Sequence, residues 1–435
     1  MASNRRKFLR NLSTALVGTG AMPYFQTVQG KSLLTSFSNI KSMPLEQVAQ
    51  EEQFWRQVRL AYTVSSAIIN LNNGGVSPQP KIVQEAVERY NQESNEVPSY
   101  FMWRILNQVK EPIRRKLAAL AGCDSEEIAI NRNASEALET VIFGLQLQAG
   151  DEVVLTRQDY PSMMNAWKQR EKRDGLVLKW LDLKLPVENK QLLVEQFVSA
   201  FGPKTKVVHL THVINWNGQV LPVREIADVA AKKGIQVLVD GAHSFAHLDF
   251  KIPDLNCDYF GTSLHKWLCA PFGSGMLYVR KSRIGKLYPL FAAVDPESED
   301  IRKFEHLGTR SIAIELAIGQ AIDFHKMIGA ERKQARLKYL SKYYLDQIKD
   351  EQGIKICTPV KPENACAISL INLEGIDPTD VSKELWRRHK IHTTSINQAN
   401  LAGVRITPNV YTLPEELDVL VTALKKIRAK SVKND

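Results

Sequence analysis

The chain has 435 residues, 44% of them hydrophobic and 24% charged, an ordinary globular composition with room for two or three domains. Its formal net charge is +10, and it falls to +6 without Arg5, Arg6, Lys7 and Arg10; no Lys/Arg run or basic–aromatic ladder follows, so the pattern excludes a nucleic-acid footprint. Five cysteines, an odd number with no CxxC pair, exclude a full disulfide framework, and no run of about 18 apolar residues follows the N-terminus to span a membrane.

Arg5 and Arg6, followed by Phe8 and Leu9 and a weakly apolar stretch from Leu12 to about Phe25, resemble a twin-arginine export signal. The expectation is a signal-like segment over residues 1–30, cleavage anywhere between about residue 22 and 32, and a periplasmic protein. Residues 31–70 form an N-terminal helical segment, with Leu45, Val48, Phe54, Trp55 and Val58 as its apolar positions. Leu71 to Pro78, with Asn72, Asn73, Gly74 and Gly75, is a turn-rich loop. The pattern is helical from Lys81 to about Ala121.

Strands and helices then alternate. Ile128–Ile130 is a short strand. The helix at 134–147 has Ala137, Leu138, Val141, Ile142 and Leu145 on one face. Strands follow at Glu152–Leu155, Val177–Leu181 and Lys206–Thr211. A helix at Val223–Lys233 stops at Gly234 and leads into strand Gln236–Val239. Near-continuous apolar strands alternating with helices predict an α/β fold with a mostly parallel central sheet covered by helices. This large domain spans 71–312. A smaller α+β C-terminal domain spans 313–435, with one long helical stretch from Ala313 to Asp350, a strand at Ala365–Asn372, and helices at Thr379–His389 and Pro414–Lys430.

Ligands of parallel sheets gather at the carboxyl ends of the strands. Asp240 ends such a strand. Ser263, His265 and Lys266 end the strand-like run that follows, with Tyr259, Phe260, Trp267 and Leu268 around them. Burial lowers a lysine pKa and makes the amine a nucleophile. An acid and a lysine so placed suit pyridoxal 5′-phosphate: the lysine forms the Schiff base and the carboxylate keeps the pyridine nitrogen protonated.

Asp240-Gly241-Ala242-His243 followed by Ser263-Leu264-His265-Lys266 resembles the class V aminotransferase family over about residues 70 to 425. These are fold-type I pyridoxal phosphate enzymes that include cysteine desulfurases and isopenicillin N epimerase-like proteins. The resemblance implies that Ser263 and His265 bind the cofactor phosphate and that Lys266 carries it. It also puts Ala134 and Ser135 on the phosphate, at the start of a helix that Asn133 and Glu136 open as a capping box. Tyr160 stands where the family has a ring-stacking histidine. Asn215, in the Thr211–Gly218 stretch, is implied to donate to the phenolic oxygen. His243 lies beside Asp240 and reads either as a cofactor contact on the same oxygen or as a satisfied core histidine, whereas His212 is read as structural. Gly308-Thr309 resembles the family segment that reaches the phosphate of a neighbouring subunit, which implies a homodimer with shared active sites. Arg405, in Val404–Pro408, is implied to grip the substrate carboxylate as a planar bidentate donor. No metal site is expected.

All family members start from the amine of a small-molecule amino acid, and the reactions then diverge. The loop from His389 to Arg405 has no cysteine, which argues against a desulfurase, and Cys366 reads as a packed small hydrophobe. Leu71–Gly75 and Asp159–Ser162 look most like the isopenicillin N epimerase-like subgroup, so aminotransferase or epimerase chemistry is expected first. A C–S (β-elimination) lyase is the alternative, and a non-catalytic binding protein on the same fold is the alternative of another class. Trp103 and Arg104 are further candidates for the pocket wall.

Overall fold

A computed structural model describes residues 26–398 and 400–431. The paired arginines of the signal-like segment lie outside the described residues. Among the described residues, no helix is long and apolar enough to cross a membrane.

The strands in chain order are β1 (Ile69–Asn70), β2 (Ile128–Asn131), β3 (Glu152–Thr156), β4 (Val177–Leu181), β5 (Thr205–Thr211), β6 (Gln236–Asp240), β7 (Tyr259–Ser263), β8 (Gly275–Val279), β9 (Ile354–Ile356), β10 (Ser369–Leu373), β11 (Ile391–His392), β12 (Thr394–Gln398) and β13 (Leu401–Ile406). Seven of them form the central sheet in the order β2-β8-β7-β6-β5-β3-β4. Every pairing from β7 to β4 is parallel, and β8 alone runs against its neighbours. The expected mostly parallel sheet is therefore present.

Its strands are apolar on both faces because both faces are covered. Leu238 of β6 packs with Val153, Leu155 and Leu277 beneath the helices Ala134–Gly144 and Pro161–Asp174. Val237 and Val239 point the other way, into a core shared with helices Val223–Lys232 and Ile318–Ile328. One strand thus feeds two cores through the period-2 alternation of its side chains.

A second sheet, antiparallel and ordered β12-β13-β10-β9, lies in the C-terminal region, and β1 pairs with β11 in parallel. Beyond β1, the Leu71 carbonyl accepts from Thr407 N–H at 2.8 Å, and Gly74 N–H donates to Thr407 Oγ1 at 2.9 Å. This stitching carries the Gly74-Gly75 loop to the end of β13. The N-terminal helices Leu45–Gln50 and Glu52–Leu60 sit against the C-terminal region, and helix Val28–Asn39 packs on Glu52–Leu60. There the buried guanidinium of Arg336 bonds the Ala49 and Thr412 carbonyls and the Glu52 carboxylate.

Two helical expectations are corrected. The stretch from Ala313 to Asp350 is three helices, Ile312–Leu316, Ile318–Ile328 and Ala330–Leu345. The second break falls at Gly329, whose φ of +91° is outside any helix and suits only glycine. The stretch from Lys81 to Ala121 is also interrupted. Helix Lys81–Glu96 stops at Val97, before Pro98, short α, π and 3₁₀ helical turns fill 98–109, and helix Lys110–Ala121 follows. The C-terminal strand starts at Ser369 rather than Ala365.

Candidate active site

The carboxyl ends of β5, β6 and β7 open into a cavity of about 320 Å³. Ala134, Ser135, Tyr160, Asn215, Asp240, His243, Ser263, His265, Lys266 and Arg405 all line it. Ten residues spread over 272 positions of sequence therefore meet at one strand-end pocket. Thr309 does not line it; it is exposed, after helix Ile301–Glu305. Trp103 and Arg104 are corrected: Trp103 is 61% exposed in the π-helical turn Phe101–Ile105, and neither residue lines the cavity.

Asp240 is the last residue of β6 and is buried. Burial pushes its carboxyl upward, opposed by the Ala242 N–H, which donates to Oδ1 at 2.9 Å, and by the charge of Lys266. The chain can turn here because residue 241 is glycine: a Cβ would come within 1.9 Å of the Phe260 ring.

Lys266 follows β7 and is half-buried, with Nζ 3.1 Å from His243 Nε2. Burial lowers its ammonium to about 8, while Asp240 pulls the other way and Arg405 adds to the lowering. The histidine's protonation follows from its other partner. Trp267 Nε1 can only donate, and it reaches His243 Nδ1 at 3.4 Å. The neutral ring therefore carries its proton on Nε2, facing Lys266. Burial holds this imidazole well below its usual range, so it stays neutral. A neutral lysine amine accepts from that N–H, whereas an ammonium does not.

At the far wall, helix Ala134–Gly144 begins. Asn133 Oδ1 caps it by accepting from Glu136 N–H at 2.9 Å. The expected capping box is only half present, because Glu136 turns back to the Arg132 N–H at 2.7 Å and to the Arg132 guanidinium. Ser263 Oγ accepts from Ala134 N–H at 2.9 Å, which ties the helix start to the end of β7. A helix start has free N–H groups and the positive end of the dipole, beside the Ser263 hydroxyl and the His265 ring. That is an anion site, and it suits a phosphate.

Arg405 of β13 is buried, and burial lowers its guanidinium to about 10. Its NH1 donates to the Asn215 carbonyl at 3.1 Å and its NH2 to Asn72 Oδ1 at 2.9 Å, while Nε has no partner. No carboxylate pairs with it among the described residues, so a buried cation is held by neutral acceptors alone. Asn72 was not singled out as an Arg405 partner from sequence, although it stands in the Asn-Asn-Gly-Gly loop. Asn215 Oδ1 is a second buried polar atom at the cavity with no partner. Such atoms are costly unless a ligand meets them. Tyr160, 43% exposed, immediately precedes helix Pro161–Asp174 and lines the remaining wall.

The family model for class-V aminotransferases matches residues 69–406. The chain belongs to this family. It is 30% identical over 388 residues to the isopenicillin N epimerase of Streptomyces clavuligerus, covering 85% of this chain and 97% of that protein. It is 29% identical over 388 residues to a probable cysteine desulfurase of Halalkalibacterium halodurans (strain C-125), covering 83% and 94%. The apo cysteine desulfurase of Thermococcus onnurineus NA1 shares the fold with a TM-score of 0.75 at 23% identity, over 86% of this chain and 98% of that one. The chain is thus a fold-type I enzyme whose cofactor is pyridoxal 5′-phosphate.

The site fits that group: the helix start with Ser263 and His265 suits the phosphate, Asp240 on the floor suits a cationic ring nitrogen, and Asn215 Oδ1 is a buried polar atom left for a ligand. One consequence is a pH profile. Only the uncharged amine of Lys266 attacks an aldehyde, so cofactor uptake by the apo-protein should quicken as pH rises through about 8 and level off above it. Stopped-flow absorbance checks this, and a flat rate between about pH 6.5 and 9.5 contradicts the assignment.

Proposed function

We propose that the enzyme acts at Cα of an amino acid or amino-acid derivative, by epimerisation or transamination, with Lys266 moving the α-proton. The observation that carries this reading is Arg405, a buried guanidinium without a carboxylate partner, in the same cavity as Lys266 and Asp240. The substrate carboxylate is the anion that completes it.

When bound, the cofactor withdraws electrons from Cα of the substrate amine, which makes the α-proton removable. This chain's residues supply the rest. Asp240 keeps a positive charge on the ring nitrogen, since a buried carboxylate is most stable beside a cation. Arg405 fixes the carboxylate and thereby sets which face of Cα meets Lys266. The Lys266 amine, neutral near pH 8, takes the proton and returns it. The His243 N–H faces that amine at 3.1 Å and holds it in place. Tyr160 covers the cavity with an aromatic ring and limits water.

Sulfur abstraction by the enzyme's own thiol is disfavoured. Among the described residues no cysteine lines the cavity, and burial pushes the Cys366 thiol up to about 12. The branch between the two favoured reactions is read by product. Solvent deuterium at Cα with inverted configuration marks epimerisation, and keto-acid formation marks transamination. Pyruvate with a released thiol from a sulfur amino acid, and neither of the other products, contradicts both.

We further propose a homodimer in which Thr309 serves the neighbouring site. Thr309 is exposed, and Val97, Tyr100, Trp103 and Ile105 leave apolar side chains exposed in the short helical segment at 97–105. Sedimentation should give twice the chain mass. A monomer that binds cofactor fully contradicts this arrangement.

A further inference from the structure

β5 holds a histidine that the chemistry above does not use. His209 is fully buried, two residues before Thr211. The parallel register pairs His209 with Leu238 and Thr211 with Asp240, so His209, Thr211 and Asp240 project from the same face of the sheet. His209 lies one side-chain repeat below the Asp240 carboxylate, away from the cavity mouth.

Its protonation is fixed from behind. Trp167, in helix Pro161–Asp174, donates from Nε1 to His209 Nδ1 at 3.2 Å, edge to face at 87°. Indole N–H has no acceptor capacity, so Nδ1 accepts and the ring proton sits on Nε2. That Nε2–H is buried and has no partner among the described residues. An ordinary core histidine has both nitrogens satisfied, and an orphaned donor is expensive. The ionisable groups that act on it are acidic: Asp240 attracts it directly, and Asp159 lies beyond Thr211, whose hydroxyl donates to Asp159 Oδ1 at 2.8 Å. Burial lowers the ring to about 4, so at neutral pH it is an oriented dipole and carries no charge.

We propose that His209 is a positioning residue for Asp240: its Nε2–H, aimed by Trp167, steadies the Asp240 carboxylate in the ionised form that holds the cofactor's ring nitrogen. This rests on the reading of Asp240 given above. One oxygen of Asp240 accepts from the Ala242 N–H, and the His209 ring, on the same face of the neighbouring strand, acts on the carboxylate as a charge–dipole partner rather than through a hydrogen bond already formed.

The test uses the full chain. Long-range proton–nitrogen spectra of the ¹⁵N-labelled apo-protein should show His209 protonated at Nε2, and cofactor binding should shift that resonance. His209→Leu should weaken cofactor affinity about tenfold. It should also move the acid edge of binding up by about one pH unit, because Asp240 then protonates more easily. His209→Gln, which keeps an N–H near the same point, should stay within about threefold of the parent. Trp167→Phe should leave the ring in mixed tautomers and move the edge in the same direction; it serves if the leucine variant does not fold. Equal effects of Leu and Gln, or a proton found on Nδ1, overturn the proposal. Asp240→Asn tells the two readings apart. If it leaves affinity and spectrum unchanged, the Asp240 assignment fails, while the tautomer spectrum still reports on Trp167 and His209.

Discussion

Lys266→Ala should lower turnover by about four orders of magnitude or more, while the chain keeps its fold. The loss is large because one amine has two roles in this account, cofactor attachment and proton transfer. The fold survives because the side chain is half-buried at the cavity and its polar contact is a single histidine nitrogen. Truncation leaves space that solvent fills and removes no ion pair. The measurement is kcat/KM on a responding amino acid, with circular dichroism of the same preparation. Exogenous methylamine should restore part of the rate. Activity within tenfold of the parent contradicts the role of Lys266.

Arg405→Ala should lower kcat/KM by about a hundred- to a thousandfold, chiefly through KM. The guanidinium already sits buried between Asn215 and Asn72 without a counter-charge, so little reorganisation accompanies substrate binding. Arg405→Lys should recover only a small part, since an ammonium lacks the planar two-point geometry. The same variant should bind cofactor almost normally. If cofactor binding is lost along with activity, Arg405 holds the cofactor rather than the substrate.

The parts legible in sequence were those that local pattern encodes. Apolar strands broken by amphipathic helices gave the parallel sheet, and strand ends marked Asp240, Ser263 and Lys266. The family motif gathered Ala134, Tyr160, Asn215 and Arg405 into the same place. What local pattern does not encode is long-range pairing. β8 and β13 were not read as strands. β8 follows a Pro- and Gly-containing turn and runs against its neighbours, and β13 owes its place to β10 and β12. Likewise Asn72, about 330 positions from Arg405, is its partner only through the stitching of Leu71 onto Thr407. The tautomer locks are also tertiary. Trp267 and Trp167 look like ordinary core residues in sequence, and only their contacts with His243 and His209 show them as donors. The breaks at Gly329 and Pro98 had local signals, a lone glycine and a proline, that helical periodicity outweighed.

The most direct test of the central claim is reductive trapping of the loaded enzyme. Purified chain is saturated with pyridoxal 5′-phosphate, its visible spectrum is recorded with an amino acid and with the matching amine lacking the carboxylate, and the protein is then reduced with borohydride and mapped by mass spectrometry. The account predicts one cofactor per chain on the peptide containing Lys266, and a spectrum that responds to the amino acid far more strongly than to the amine. Label on another lysine, or equal response to both compounds, would contradict it.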